Sequence, residues 1–150
     1  MKTLKELFDT ITKELQKGKP LESLGPVLLQ YEGEDWKEFE IYHPDHYSRN
    51  MVMKNNLLEI VVLCWKPGQG CMPHDHPDNG CLLTVVKGKL KENTYLYNGD
   101  KQFIRKTIVY RGMTGYKEGK QVLHSVFNHT NLRAVSIHLY SPPEYQPVFY

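Results

Sequence analysis

Gly70-Cys71-Met72-Pro73-His74-Asp75-His76-Pro77-Asp78-Asn79-Gly80-Cys81 is the stretch of this 150-residue sequence from which the fold is read. Side chains on extended backbone repeat every second position, so His74 and His76 point the same way only on an extended segment. They can then share one cation, while Asp75 turns to the opposite face. A lone His-x-His is more often a pair of surface residues, but the residues around this one give it weight. Gly68 stands six residues before His74, Cys81 five after His76 and Gly88 seven further on. His124 comes later, with Asn128 four residues beyond it.

That spacing resembles the cupin signature, in which a glycine, a His-x-His pair, an acidic ligand and a second glycine precede a distant histidine followed by an asparagine. Cys81 stands where cupins usually carry a glutamate ligand. Gly119 and Gln121 stand where the second motif has proline and glycine. The resemblance implies a β-barrel and a metal. It does not assign an activity, because function lives in sites carried by folds rather than in the folds themselves.

The length fits one domain with a substantial core. We expect a helical part over about residues 1–45 and a small β-barrel of jelly-roll type over about residues 46–143. Nineteen basic against seventeen acidic residues leave a formal charge of +2, so there is no broad electrostatic footprint for nucleic acid or an anionic membrane. The expected partners are small molecules, and the chain is expected to act as a monomer. Three cysteines, an odd count, suggest reduced thiols and a cytoplasmic protein. No signal peptide opens the chain, and no apolar run reaches membrane-spanning length.

Residues 4–17 read as an amphipathic helix, with Leu4, Leu7, Phe8, Ile11 and Leu15 on one stripe. Thr3 and Glu6 form a capping box, and Gly18 and Pro20 stop the helix. Further helical stretches are expected over Leu21 to Gln30 and Asp35 to Ile41, all packed outside the barrel. From Asn50 the sequence turns to short β-branched and aromatic runs. Strands are expected over Leu57–Trp65, Cys81–Val86, Leu90–Tyr97, Gln102–Tyr110, Val122–Phe127 and Arg133–Tyr140, with Met51–Lys54 as an additional one. Asn98-Gly99 marks a hairpin.

In such a barrel His74, His76 and His124 offer a metal three neutral imidazoles with no carboxylate at the fourth expected position. The ion would keep its full charge and leave positions open. Octahedral iron(II) could then take a bidentate anionic substrate together with dioxygen. Three histidines and an open position also suit zinc, which leaves a hydrolytic reading open on ligand type alone. Two further stretches bear on the choice. Alternation puts Ser136, His138 and Tyr140 on one strand face, where hydroxyl, imidazole and phenol can form a chain. In Tyr47-Ser48-Arg49-Asn50 the guanidinium of Arg49, if it enters a pocket, needs a carboxylate or similar anion to grip. Cys64 reads as a core residue, and Cys71, in the loop before His74 and within reach of the site, reads as a surface or packing residue. Met72, His43, His46 and His129 read as loop or surface.

Together, Tyr47-Ser48-Arg49-Asn50, Leu63-Cys64-Trp65, His74-Asp75-His76, Cys81, Gly88-Lys89-Leu90-Lys91-Glu92, Leu123-His124 and Ser136-Ile137-His138-Leu139-Tyr140-Ser141-Pro142-Pro143 resemble the cysteine dioxygenase family, cupins that oxidise free cysteine to its sulfinic acid. The likeness covers about residues 40–143. It implies Fe(2+) on His74, His76 and His124 and a substrate, L-cysteine, that chelates through thiolate and amine with O2 as co-substrate. It also implies that Arg49, with Tyr47 nearby, holds the substrate carboxylate. Tyr140, supported by His138 and Ser136, is placed beside substrate and oxygen. Cys81 and Tyr140 occupy the two positions that some members join by a thioether. Animal members continue past the Ser-Pro-Pro segment, so a pocket mouth lacking that lining is expected here. The rival readings are a 3-mercaptopropionate dioxygenase, an aminothiol dioxygenase that needs no arginine clamp, and a metal-binding cupin that senses a small ligand without turnover.

Overall fold

The computed structural model describes residues 1–150. Helix α1 (Leu4–Gln16) starts where Thr3 accepts the Glu6 N–H at 3.1 Å. Glu6 reaches back past the cap to the N–H of Lys2 at 3.0 Å, and the leftover Leu4 N–H donates to Asp35 at 2.8 Å. Leu4, Leu7 and Ile11 are fully buried. The expected helix over Leu21 to Gln30 is broken into a 3-10 turn at Leu21–Leu24 and a single turn of α-helix, α2 (Gly25–Leu28). Pro26, which has no N–H to donate, fits only in the first turn of a helix and so starts a new one. The third expected stretch is a 3-10 helix that ends at Phe39.

Eight strands follow: β1 (Ser48–Lys54), β2 (Glu59–Trp65), β3 (Cys81–Lys87), β4 (Lys89–Tyr97), β5 (Lys101–Tyr110), β6 (Thr114–Lys117), β7 (Val122–Phe127) and β8 (Ala134–Tyr140). All pairings are antiparallel, in a five-stranded sheet ordered β1-β2-β8-β3-β6 and a three-stranded sheet ordered β5-β4-β7. The central strands of the larger sheet are buried on both faces. One face carries Ile60, Val62, Leu82, Ile137 and Leu139 onto the helical residues Leu4, Leu7, Ile11 and Leu24. The other carries Val61, Leu63, Trp65, Leu83 and Val85 onto Leu90, Val109 and Val126 of the smaller sheet. That explains why β2 reads as an unbroken apolar run rather than an alternating one. Burial of each such aliphatic side chain contributes about 1.5–3 kcal/mol.

Two features of this frame place the site. In the β3–β8 ladder Cys81 lies across from Tyr140 and Leu83 across from His138, while in the β2–β8 ladder Glu59 lies across from Tyr140. The His-x-His segment is extended but belongs to no strand. His74 makes an isolated bridge to His124 of β7, with N–H to O distances of 3.1 and 3.3 Å in the two directions. Gly70 lets this segment lie on β7, since a Cβ there would fall 2.3 Å from the Cβ of Phe127.

Candidate active site

His74, His76 and His124 come together, with one ring nitrogen from each lying within 4.8 Å of the others. Hydrogen bonds assign two of the tautomers. The Nδ1 of His74 lies 2.8 Å from the Met72 carbonyl, and the Nδ1 of His124 lies 2.7 Å from a Glu92 carboxylate oxygen. Both acceptors require an N–H on Nδ1, so each ring keeps its lone pair on Nε2. Those two Nε2 atoms face each other at 3.2 Å. Two lone pairs so close repel unless a cation lies between them. The separation is near the roughly 3.0–3.4 Å expected of two nitrogens bound about 2.1 Å from one ion. His76 is buried, and neither of its ring nitrogens has a hydrogen-bond partner, a state that costs about 1–3 kcal/mol if left unrelieved. A metal would satisfy all three rings.

Electrostatics agree. Burial lowers the pKa of His74. For His76 burial comes first and repulsion from His124 and His74 adds to it, while His124 falls well below its ordinary value through burial, then His74 and Lys117. All three rings are therefore neutral donors near pH 7. No carboxylate joins the set. Cys81, at the position expected of an acidic ligand, directs its sulfur to within 3.8 Å of the Nδ1 of His138.

Alternation along β8 turns Ser136, His138 and Tyr140 away from the helix-covered face. The Trp65 indole N–H donates to Ser136 Oγ at 3.0 Å. Ser136 Oγ is 3.0 Å from His138 Nε2, and His138 Nδ1 is 3.3 Å from the Tyr140 hydroxyl oxygen. Burial foremost, then the Arg49 charge, pushes the His138 pKa down to about 3, so the ring is neutral. The assignment that satisfies every group has Ser136 donating to Nε2 and Nδ1–H donating to the Tyr140 oxygen. The Tyr140 proton is then free for the pocket. Burial, followed by Cys81, holds the phenol pKa well above its usual value, and burial pushes the Cys81 thiol up to about 12.

Arg49 and Tyr47 line the same cavity of about 270 Å³ as His74, His124, His138 and Tyr140. Tyr47 stacks on Trp65 with ring centroids 4.6 Å apart. The Arg49 guanidinium lies 5.1 Å from the Tyr140 ring centroid. The cation already has a carboxylate partner, since Nη2 donates to buried Glu59 at 2.8 Å. Glu59 opens the apolar run of β2, and a buried acid in such a place must be paired, which is the signal in the sequence that points to it.

The C-terminal segment lines the same cavity through Tyr145, Gln146, Pro147 and Phe149. Asp75 holds this segment. Its buried carboxylate accepts from Tyr145 Oη and the Val148 N–H at 2.8 Å each and from Tyr150 Oη at 3.1 Å. The Tyr150 N–H donates to the Pro73 carbonyl at 2.9 Å, and the Phe149 ring lies 5.5 Å from that of His74. Cys71, expected to pack, also lines the cavity, with burial raising its thiol pKa to about 11. Glu92, behind His124, closes the Gly88–Glu92 run, though that run does not show its partner, and Lys117 behind Glu92 carries no motif that local sequence reveals.

Comparison with known proteins follows the same lines. A family model described as "Cysteine dioxygenase type I" matches residues 2–148. Among curated relatives, cysteine dioxygenase type 1 of Danio rerio is 31% identical over 152 residues, covering 94% of this chain and 75% of that protein. The Bos taurus protein of that name is 33% identical over 131 residues, covering 82% of this chain and 66% of the relative's own length. Solved structures agree on fold alone. A Klebsiella pneumoniae protein with a double-stranded β-helix domain superposes with a TM-score of 0.58 at 22% identity, covering 75% of this chain and 91% of that one. Oxalate oxidase in complex with glycolate superposes with a TM-score of 0.55 at 19% identity, covering 71% of this chain and 56% of that one. The architecture is therefore the cupin one, mainly β, with N-terminal helices packed outside.

Proposed function

This chain belongs to the cysteine dioxygenase type I family, and from that premise we propose that it oxidises the thiol of free L-cysteine with O2 to cysteine sulfinic acid. Both oxygen atoms enter the product, the sulfur gives up four electrons and dioxygen accepts them. The observation that carries this reading is the set of three neutral imidazoles without a carboxylate, one ring nitrogen of each converging on the others. In this proposal His74, His76 and His124 hold Fe(2+). Bound there, the metal supplies open positions and an electrophilic charge that favour a thiolate and dioxygen together.

The remaining residues bind, orient and exclude water. A cavity of about 270 Å³ is below the roughly 300–1,000 Å³ of sites for drug-sized ligands and suits a free amino acid. Arg49, steadied by Glu59 and lying over Tyr140, binds the substrate carboxylate at the pocket wall, with Tyr47 beside it. Ser136 and His138 fix the direction of the Tyr140 hydroxyl, so that its proton points at the substrate. Residues 145–149 cover the mouth and keep water out.

The same reading includes a Cys81–Tyr140 thioether, for which their pairing across the β3–β8 ladder provides the proximity. It also includes a monomer acting on small molecules in the cytoplasm, in keeping with three free cysteines. No helix is long and apolar enough to cross a membrane. Oxygen uptake by the iron-loaded protein tests the reading when cysteine, 3-mercaptopropionate and cysteamine are compared. Cysteine is expected to give the fastest uptake, with sulfinate formed in equal amount. Faster turnover of mercaptopropionate, or none with any thiol, would contradict it.

A further inference from the structure

We propose that Lys117 is a positioning residue of the metal centre, a buried cation that offsets the charge Glu92 brings to His124. The inference rests on the reading of the three histidines as a metal site, and it does not depend on which thiol is oxidised.

Glu92 sits between two partners. One carboxylate oxygen accepts from His124 Nδ1 at 2.7 Å, and the other lies 3.4 Å from the Lys117 ammonium, which also donates to the Tyr116 carbonyl at 3.1 Å. The side chains of Lys117 and Glu92 are each only 5% exposed, and that of His124 only 2%. Three elements converge here, β4 with Glu92, β6 with Lys117 and β7 with His124.

The bland alternative is a self-satisfying ion pair, and buried pairs often contribute little net stability against an apolar replacement. The geometry points to more than that. Glu92 makes its shorter contact to the ligand, not to the lysine, and a carboxylate behind a ligating histidine makes that ring a stronger and more negative donor. Uncompensated, it would draw down the positive charge with which the metal attracts an anionic ligand. Lys117 restores that charge without occupying a coordination position. Glu92 can then orient His124 while the centre keeps its affinity for anions.

Cobalt(II) alone is the probe, titrated at pH 8 into the metal-free full chain and followed by its visible absorption. Four proteins are compared: the wild type, Lys117→Met, Glu92→Gln and the double variant. Glu92→Gln is expected to weaken cobalt binding by about 10–100-fold. Lys117→Met is expected to tighten it several-fold, and the double variant is expected to move back toward wild type. Azide, a monovalent anion added to the cobalt forms, is expected to bind more weakly in Lys117→Met and more tightly in Glu92→Gln. These opposite signs are what a purely structural pair would not produce. Cobalt and azide affinities unchanged in Lys117→Met, or lowered together in both single variants, would overturn the proposal. If Lys117→Met does not fold, Lys117→Gln, which keeps a donor for the Tyr116 carbonyl, is read by the same signs. Failure of the wild type itself to bind cobalt would instead overturn the metal-site reading.

Discussion

Arg49 donates from Nη2 to Oε1 of Glu59 across 2.8 Å, so the cation on the pocket wall is fixed before any substrate arrives. The guanidinium has donors left over, since it carries five N–H groups. Arg49→Ala is therefore expected to raise the Michaelis constant for cysteine while iron content stays normal. A charge-assisted contact contributes about 1.5–3 kcal/mol, which corresponds to about a 10–100-fold loss in kcat/KM. Glu59→Gln, which loosens the arginine without removing it, is expected to give a smaller change in the same direction. Steady-state kinetics with parallel metal analysis decide the point, and an unchanged Michaelis constant in Arg49→Ala would remove the residue from substrate binding.

The chain from Trp65 through Ser136 and His138 to Tyr140 ends in one hydroxyl proton. Tyr140→Phe deletes that proton and is expected to lower kcat by about 100-fold or more, within the range for a positioned proton donor. Ser136→Ala leaves the phenol in place but frees the tautomer of His138, so a smaller loss is expected. In the Tyr140→Phe background the serine change should then cost little further, as for residues acting through one another. Fully additive losses would show that the serine does not act through the tyrosine.

Stability against pH follows from the buried histidines. In the fold His138 is pushed down to about 3, by burial first and Arg49 next, and the three converging rings are lowered as well, chiefly by burial. In the unfolded chain each titrates near about 6.5. Unfolding thus takes up protons at mildly acidic pH, so the contribution of the neutral rings is complete above about pH 6.5 and is lost as pH falls toward the folded values. The melting temperature of the metal-free protein is expected to hold from pH 8 to 7 and to drop steadily below about 6.5. A metal on the three rings should raise the melting temperature at each pH where it binds. A flat profile from pH 7 to 4.5 in the metal-free protein would contradict the burial of neutral histidines.

Asp75 ties the segment over the pocket mouth to the loop that carries His74 and His76. Asp75→Ala removes an acceptor from Tyr145, Val148 and Tyr150 together. Hydrogen exchange at the Val148 amide is expected to rise by about 10–100-fold, as for loss of a charged acceptor, and α1 should be unaffected. Unaltered protection would mean that the backbone contacts of Tyr150 with Pro73 and of Asp75 with Val148 hold the segment without the carboxylate.

What the sequence disclosed and what it hid divide along local and non-local lines. The faces of β8 were legible because alternation is a property of one strand: Ser136, His138 and Tyr140 had to share a side. Alternation likewise makes His74 and His76 neighbours, although their segment pairs only through isolated bridges. β6 escaped notice because Thr114–Lys117 is four residues long, contains a glycine and owes its place to pairing with β3. Neither the apolar surroundings of Glu59 nor the run that ends in Glu92 names a partner, and Lys117 reads as an ordinary charged residue. Their partners lie 10, 32 and 25 positions away in sequence, and register across strands, which no single segment contains, brings them together. The covering of the pocket mouth was hidden for the same reason, since its anchor is Asp75, some 70 residues earlier.

The most direct test of the account is a single turnover under labelled dioxygen. Metal-free protein is loaded anaerobically with one equivalent of ferrous iron, mixed with cysteine, exposed to ¹⁸O₂, and the product is weighed by mass spectrometry. The account predicts sulfinate carrying two labelled oxygens from the wild type and none from His124→Ala. Singly labelled product, or equal yield from the variant that lacks His124, would contradict it.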